Sequence, residues 1–193
     1  MRATCFFTKA AARCRSIRLF AVLFASLATL SGCSTVQVED YAQQEPKLDI
    51  FEYFAGTTYA QGQFQNRSGQ VIRRFSVKIT GTVRGQQLEL DEHFVYDDGE
   101  KQRRVWTIDD LGKGQYSGRA ADVIGEAKGL SAGNALQWQY VLDLPYQDGT
   151  IAVKFNDWMW LQNANTMFNR ATVSKFGFTV GEVTLFFSKT PLE

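Results

Sequence analysis

Several charged side chains sit among apolar residues in segments that alternate with a period of two, a pattern typical of β-strands with one buried face. The members of this set are Glu92, Arg104, Asp122, Asp157 and Arg170. A carboxyl group on an apolar wall has a raised pKa, so it can exchange a proton or bind the polar end of an amphipathic molecule. Buried charges also need partners, so the same residues are equally compatible with a structural network.

The single histidine of the chain, His93, limits the catalytic chemistry that the sequence supports. It follows Glu92 and shares the face of Glu89 and Asp91, so we expect its side chain to point to solvent. A Ser-His-Asp triad would have to use this histidine as its base, and nothing in the sequence marks a partner serine. The turn Asp97-Asp98-Gly99 lacks the spacing of a calcium loop, and Gly112-Lys113-Gly114 lacks the rest of a phosphate loop. We predict no catalytic residue, no metal site and no cofactor.

The elements that would position the charged set are short alternating segments separated by Gly, Asp and Asn, which predicts an antiparallel all-β domain. An up-and-down barrel of about 8–9 strands leaves no exposed edge, whereas a two-sheet sandwich has the same alternation and stays open as the alternative. Trp158 and Trp160 share one face, which is compatible with core packing, with a place at the barrel mouth, or with an outward surface that contacts a membrane or partner; core packing is the expectation that we favour. The nine predicted strands are 57–66, 70–84, 87–97, 100–109, 114–126, 134–145, 149–162, 166–175 and 178–189.

One turn in the sequence allows a register to be predicted. A three-residue loop with Gly99 in the left-handed conformation matches the apolar faces of the flanking strands, whereas a two-residue loop sets Phe94 opposite Arg103. The resulting pairs are Tyr96 with Glu100, Glu92 with Arg104, Leu90 with Trp106, and Leu88 with Ile108.

The N-terminus has the features of a lipoprotein signal. Five cations without any acidic residue precede the 12-residue apolar run from Leu19 to Leu30, and Leu30-Ser31-Gly32-Cys33 follows as a lipobox. The apolar run is too short to span a bilayer as a helix. We predict a signal peptide over 1–32, lipidation of Cys33 with palmitate or similar chains, a flexible tether over 33–48, and one barrel domain over 49–193.

Processing would change both the charge and the destination. The leader contains five of the 21 cations and none of the 20 acidic residues, so the mature chain carries a net charge of −4 and no basic stripe for nucleic acid. All cysteines are in the leader or at the lipidation site, which excludes a disulfide. Ser34 stands where an aspartate signals inner-membrane retention in Gram-negative bacteria, so we expect the periplasmic face of the outer membrane.

A few further segments of the sequence are distinctive. These are Asp122–Gly129, Gly133–Tyr140, Asn156–Trp160, Asn169-Arg170 and Lys175–Gly177. Together with the lipobox they resemble an uncharacterised family of Gram-negative lipoproteins, domain of unknown function 3833, and the resemblance covers about Asp49 to Ser188. It implies an outer-envelope lipoprotein with a lipocalin-like (calycin-like) barrel and no assigned activity.

The chain contains 26 aromatic residues, and a barrel of about eight strands has room for one small ligand. We predict that a lipid, fatty acid or lysophospholipid binds between aromatic walls and a few polar groups. The predicted ligand-binding residues are Glu92, Arg104, Trp106, Asp122, Trp138, Tyr140, Asp157 and Arg170. A structural or envelope-assembly lipoprotein is the alternative, and a lipid-modifying enzyme using Asp122 or Asp157 is the least favoured one; the pattern leaves the oligomeric state open.

Overall fold

The computed structural model describes residues 35–192. The predicted leader, Cys33 and Ser34 lie outside the described residues. The compact unit that contains the barrel begins at Gln37. Between residues 35 and 192, no helix is both long and apolar enough to cross a membrane.

Ten antiparallel strands follow one another around a closed barrel, and the first strand pairs with the last. This confirms an all-β antiparallel barrel and excludes the sandwich, while correcting the strand number from 8–9 to ten. The strands are β1 (Gly56–Asn66), β2 (Val71–Arg84), β3 (Gln87–Tyr96), β4 (Lys101–Gly112), β5 (Gln115–Arg119), β6 (Ala127–Ala132), β7 (Ala135–Tyr146), β8 (Gly149–Asn163), β9 (Thr166–Lys175) and β10 (Phe178–Ser188).

The additional strand is β6. The sequence predicts a single strand over 114–126, whereas β5 ends at Arg119 and β6 begins only after residue 126. The interior positions here are occupied by Gly118 and Gly129, because a Cβ at either glycine would overlap the indole of Trp138. The buried positions of β6 are Ala127 and Gly129, so this strand lacks the large apolar side chains whose alternation identifies a strand.

The β3–β4 hairpin has the predicted register. Glu92 pairs with Arg104, Leu90 with Trp106, and Leu88 with Ile108. The turn closes with a hydrogen bond from the Tyr96 amide to the Glu100 carbonyl, and Gly99 has a φ of 86°. Only a residue without a Cβ adopts this φ readily, which explains why glycine follows the two aspartates.

One end of the barrel is closed by α1 (Ile50–Phe54), which the Asp49 carboxylate caps by accepting hydrogen bonds from the Phe51 and Glu52 amides. Ile50 and Phe54 are buried, and the Phe54 ring meets Phe187 edge-on with centroids 5.7 Å apart. The carbonyl of Phe54 occupies the space where a Cβ of Gly81 would be. Together these contacts fill the barrel floor, called the closed end below.

Lys189 holds the C-terminal end of α1 in place. Its ammonium group donates to the carbonyls of Tyr53 and Ala55 at 2.7 and 3.0 Å and to the Thr58 hydroxyl at 3.1 Å. A cation is favourable at this end of a helix, where carbonyl groups lack partners. Partial burial lowers the pKa of Lys189, and burial raises the pKa of Tyr53 to about 12.

The segment predicted as a flexible tether packs on the barrel for most of its length. A 3₁₀ helix spans Val38–Tyr41, Val38 is buried, and the Leu48 amide donates to the Gly133 carbonyl at 2.8 Å. The ring of Tyr41 lies 6.0 Å from that of Trp158 and 6.4 Å from that of Trp160. The two tryptophans therefore pack on the outer face and not in the core as expected, because their neighbours in β8 take the inward positions.

Candidate functional site

A cavity of about 630 Å³ occupies the barrel above the closed end and opens at the opposite end, which we call the mouth. Cavities of 300–1,000 Å³ accommodate small-molecule ligands. Most of the wall is apolar and comes from eight of the ten strands and α1. Representative wall residues are Ile50, Phe64, Phe75, Phe94, Leu142, Val153, Met159, Val173, Val183 and Leu185.

Three predicted aromatic residues form one cluster at the side of this cavity. The Trp106 ring meets Trp138 and Tyr140 nearly edge-on, with centroids 5.7 and 5.3 Å apart, and Tyr140 stacks on Phe155 at 5.0 Å. All four line the cavity. Edge-to-face and stacked contacts fix the ring positions and give the wall a rigid apolar surface.

Arg104 lies on the interior face, and it binds Asp122 more closely than its cross-strand partner Glu92. Its Nη2 and Nε atoms donate to Asp122 Oδ2 at 2.7 and 2.9 Å, whereas Nη1 is 4.0 Å from Glu92 Oε2. Burial raises the pKa of Glu92 to about 7 despite the opposing effect of Arg104. The guanidinium is thus committed to Asp122, and the Glu92 carboxyl remains turned to the cavity.

Asp122 belongs to the loop over residues 120–126, which fills the wall between β4 and β7 where β5 and β6 are short. Its carbonyl accepts from the Asp143 amide at 2.9 Å, the Ile124 amide donates to the Val141 carbonyl, and Val123 bridges to Leu142. The Arg104–Asp122 ion pair joins the two sides of this gap. We conclude that this pair closes the barrel wall.

Asp157 is the second interior carboxyl group and is only 7% exposed. It accepts hydrogen bonds from the Asn169 side-chain Nδ2 and from the Tyr140 hydroxyl. Burial raises its pKa to about 7 in spite of these bonds. Carboxyl groups with pKa values near neutrality can gain or lose a proton when a ligand arrives.

Arg170, predicted inside or at the mouth of the barrel, instead faces outward. Its side chain is 60% exposed and forms an ion pair with Glu182 at 2.6 Å. The inward position belongs to Asn169, which shares its alternation with Met167, Ala171 and Val173 and lines the cavity. Consecutive residues of a strand point to opposite faces, so Arg170 and Asn169 cannot both face the cavity. The apolar residues that alternate with Asn169 are the signal that identifies it as the inward one.

Arg73 is a second interior cation that the sequence reasoning missed. It lies at the mouth, with its guanidinium carbon 3.5 Å from the Tyr96 ring centroid, and donates to Asp98 at 3.1 Å and Glu100 at 2.5 Å. Its place in the alternation of Phe75 marks it as inward-facing. The cavity therefore has two sets of polar side chains, one around Arg73 at the mouth and another around Asp157.

The rim of the mouth carries exposed apolar side chains on neighbouring hairpins. Phe176 is 88% exposed and Phe178 73% exposed in the β9–β10 hairpin, and Tyr146 is exposed in the adjacent β7–β8 hairpin. Phe176 also has a φ of 50°, a conformation that a phenylalanine rarely adopts. Neither solvation nor backbone conformation favours phenylalanine at this position.

Two further positions named from the sequence are the histidine and the predicted lipidation site. His93 is exposed on the outer face and lies 3.2 Å from Asp91, as predicted. Between residues 35 and 192, no three His, Cys, Asp or Glu side chains are grouped so as to hold a metal ion. The position of Cys33 is outside the described range.

Comparisons with known proteins agree with this architecture. The structure of an S-type phycobiliprotein lyase from Guillardia theta has a TM-score of 0.56 at 10% identity, covering 82% of this chain and 100% of that chain. A protein of unknown function from the DUF3598 family of Nostoc punctiforme has a TM-score of 0.57 at 12% identity, covering 76% of this chain and 51% of that chain. These likenesses concern the fold alone, a lipocalin-like barrel.

At the level of sequence, no curated protein matches this chain. A family described as protein of unknown function (DUF3833) matches residues 27–189, which include all ten strands. The chain belongs to the DUF3833 family.

Proposed function

We propose that the protein binds a hydrophobic or amphipathic small molecule in the barrel cavity. The observation that supports this most strongly is the cavity itself, because about 630 Å³ remains open among side chains that are otherwise closely packed. A barrel with a purely structural role gains stability from filling such a space, as α1 does at the closed end.

The shape of the cavity supports an elongated ligand. Its apolar wall extends from Ile50 and Phe54 on the floor to Phe64 and Val183 nearer the mouth, and polar groups interrupt it at a few places only. This distribution fits an alkyl chain or ring system with one polar group. The apolar rim at Phe176 and Phe178 would ease transfer of such a molecule from a lipid surface.

Binding is tested by displacement of the neutral fluorescent probe N-phenyl-1-naphthylamine from the chain beginning at Ser34. Val183→Trp narrows the cavity and should weaken probe binding at least tenfold, whereas Ile72→Trp, on the exposed outer face, should leave it unchanged. Native mass spectrometry of protein purified without detergent would identify any lipid that remains bound. No probe binding in the parent chain would contradict the proposal.

We also propose that the protein is a lipoprotein anchored through Cys33 at the periplasmic face of the outer membrane. The lipobox and Ser34 support this assignment. Cys33→Ala should abolish palmitate labelling and release the protein from the membrane fraction, with Ser31→Ala as a control that keeps a small residue before the cleavage site. Unchanged labelling of the Cys33→Ala variant would contradict the anchor.

A further inference from the structure

We propose that the ligand of the cavity carries a cationic, hydrogen-bond-donating group, such as a protonated amine on an alkyl chain, which binds between Glu92, Asp157 and Asn169. This inference rests on the proposed function, since it names the chemical class of the ligand for the same cavity. The geometry of the polar side chains carries it.

The first observation is that the interior donors nearest the two carboxyl groups are used by the protein. The Arg104 guanidinium is bound to Asp122 at 2.7 and 2.9 Å, and the Tyr140 hydroxyl donates to Asp157. Arg73 lies apart from them at the mouth, where its Nη2 is held by Asp98 and Glu100 and its Nε is buried without a partner among the described residues. An anionic ligand such as a carboxylate would have to compete with Asp122 or Asp157 for the Arg104 and Tyr140 donors.

The second observation is that two interior side chains, Asn169 and Glu92, have acceptor oxygens without a hydrogen bond in the described chain. In the part of the chain that the structure describes, Asn169 Oδ1 is buried without a hydrogen-bond partner, although Asn169 is only 2% exposed. The orientation of this amide is fixed, because its nitrogen donates both to Asp157 and to the Trp158 carbonyl at 3.2 Å. Its oxygen therefore has no donor within the described chain and lies beside the cavity that Asn169 lines.

The Glu92 side chain is 14% exposed, and its carboxylate also lacks a hydrogen bond in the described chain. Within residues 35–192 its carboxylate has one polar contact, Arg104 Nη1 at 4.0 Å, which is beyond hydrogen-bond distance. A buried acceptor without a donor costs free energy, so a ligand that supplies the donor recovers that free energy on binding. Glu92, Asp157 and Asn169 all line the cavity, so a donor on a molecule inside it would lie near all three side chains.

The charge balance points to the same ligand class. Once Arg104 and Asp122 neutralise each other, the carboxyl groups of Glu92 and Asp157 remain, and Asp157 adds to the raised pKa of Glu92, as do Asp122 and Asp91. A cation placed between the two carboxyl groups lowers both pKa values and favours their charged forms. A carboxylate ligand would instead be repelled unless both groups stayed protonated.

The experiment compares three ligands with the same chain length and different head groups: decylammonium, decanol and decanoate. The affinity of each ligand is measured at pH 8 by its displacement of N-phenyl-1-naphthylamine from the chain beginning at Ser34. We expect decylammonium to bind at least tenfold more tightly than decanol, and decanoate to bind more weakly than decanol. Raising the pH from 6 to 8.5 should strengthen decylammonium binding about tenfold, because the amine stays charged while Glu92 and Asp157 ionise.

A double variant, Glu92→Gln with Asp157→Asn, should reduce the preference for decylammonium over decanol below threefold. The matched control, Asp91→Asn with Glu182→Gln, removes two carboxyl groups of the outer face and should retain the preference. If the double variant does not fold, Glu92→Gln alone is compared with Glu182→Gln.

Three results would overturn the inference. Decanoate binding as tight as decylammonium at pH 8, or an amine preference that survives in the double variant, would reject the cationic head group and leave hydrophobic-ligand binding intact. Failure of all three ligands and of the probe itself to bind would reject the proposed function as well.

Discussion

The polar groups around α1 and those of the cavity differ in how far the protein satisfies them. At the closed end, Lys189 donates to three acceptors and Asp49 accepts from two amides, so the groups around α1 are satisfied by one another. In the cavity, Glu92 and Asn169 keep acceptor atoms without hydrogen bonds among the described residues. Because such atoms cost stability, the contrast separates a region that holds the fold together from one that is kept ready for a ligand.

Apolar groups show the same contrast. Phe54 is buried against Phe187 at the closed end, whereas Phe176 stands almost fully exposed on the rim of the mouth. Substitutions at the closed end should therefore reduce stability, and substitutions around the cavity and its mouth should change ligand binding more than stability. The following four variants test this division.

The largest loss of stability is expected for Gly81→Ala. Its new Cβ would overlap the Phe54 carbonyl, so α1 or β2 must move, at a cost of about 3 kcal/mol in the free energy of unfolding. Urea denaturation measures the change. Gly149→Ala, near the mouth with open space around its Cβ position, is the control and should change stability by less than about 0.5 kcal/mol. Equal effects at both ends would remove the distinction.

Glu92→Gln should stabilise the ligand-free protein, and only at high pH. The folded-state pKa of Glu92 is about 7, above its ordinary value of 4.5, so the folded state binds its proton more tightly than the unfolded chain does. The associated stability is complete below about pH 4.5 and is lost as the pH rises through 7. Glutamine imitates the protonated form, so we expect a gain of about 2 kcal/mol at pH 8.5 and almost none at pH 4.5.

Thermal unfolding at several pH values tests this expectation. The parent chain should become less stable between pH 5 and pH 8.5, and Glu92→Gln should flatten that dependence. Glu182→Gln, which removes an exposed carboxyl group paired with Arg170, provides the control. A destabilised Glu92→Gln protein at pH 8.5 would indicate that the Glu92–Arg104 contact is structural.

Lys189→Met should lower the free energy of unfolding by about 1–2 kcal/mol, because three acceptors at the end of α1 lose a charged donor. Lys154→Met, at an exposed outward position of β8, should be almost neutral. Hydrogen exchange of the α1 amides would locate the loss at the closed end. Equal effects of the two lysine substitutions would show that the ammonium contacts contribute nothing.

The smallest effect on stability is expected for Phe176→Asn at the mouth. Asparagine tolerates a positive φ better than phenylalanine, and the exposed ring contributes little packing, so the change should stay within about 0.5 kcal/mol. Loading of N-phenyl-1-naphthylamine from phosphatidylcholine vesicles should nevertheless become several times slower. Unchanged loading would mean that the rim has no part in ligand transfer.

Much of the fold was predictable because alternation and turn chemistry are local. The Asp97-Asp98-Gly99 turn and the apolar faces around it determined the β3–β4 register, including the Glu92–Arg104 pair. The resemblance to the DUF3833 family, confirmed by the match over residues 27–189, added the lipocalin-like barrel. β6 was not predicted because Gly129, like Gly118 in β5, has no side chain where the Trp138 indole packs. Trp138 is far from Gly118 in sequence, so this packing is not visible from the neighbouring residues.

Prediction of the site was partial for a related reason. Burial of Glu92 and Asp157 on the inner face was expected, yet Arg170 was chosen where the inward side chain is Asn169. The alternation of Met167, Ala171 and Val173 contained the information needed to choose correctly. Trp158 and Trp160 were assigned to the core because the sequence does not indicate that Tyr41 covers the outer face of β8.

The sequence by itself determined the alternation of most strands, the β3–β4 register and the inward positions of Glu92, Arg104 and Asp157, since each depends on residues close together along the chain. The tertiary structure alone decided which of these polar groups satisfy one another. Arg104 binds Asp122 and not Glu92 because the short β5 and β6 leave a gap in the wall that the loop over 120–126 fills. Hydrogen bonding depends on distances of a few tenths of an ångström between distant segments, and only the folded barrel sets those distances.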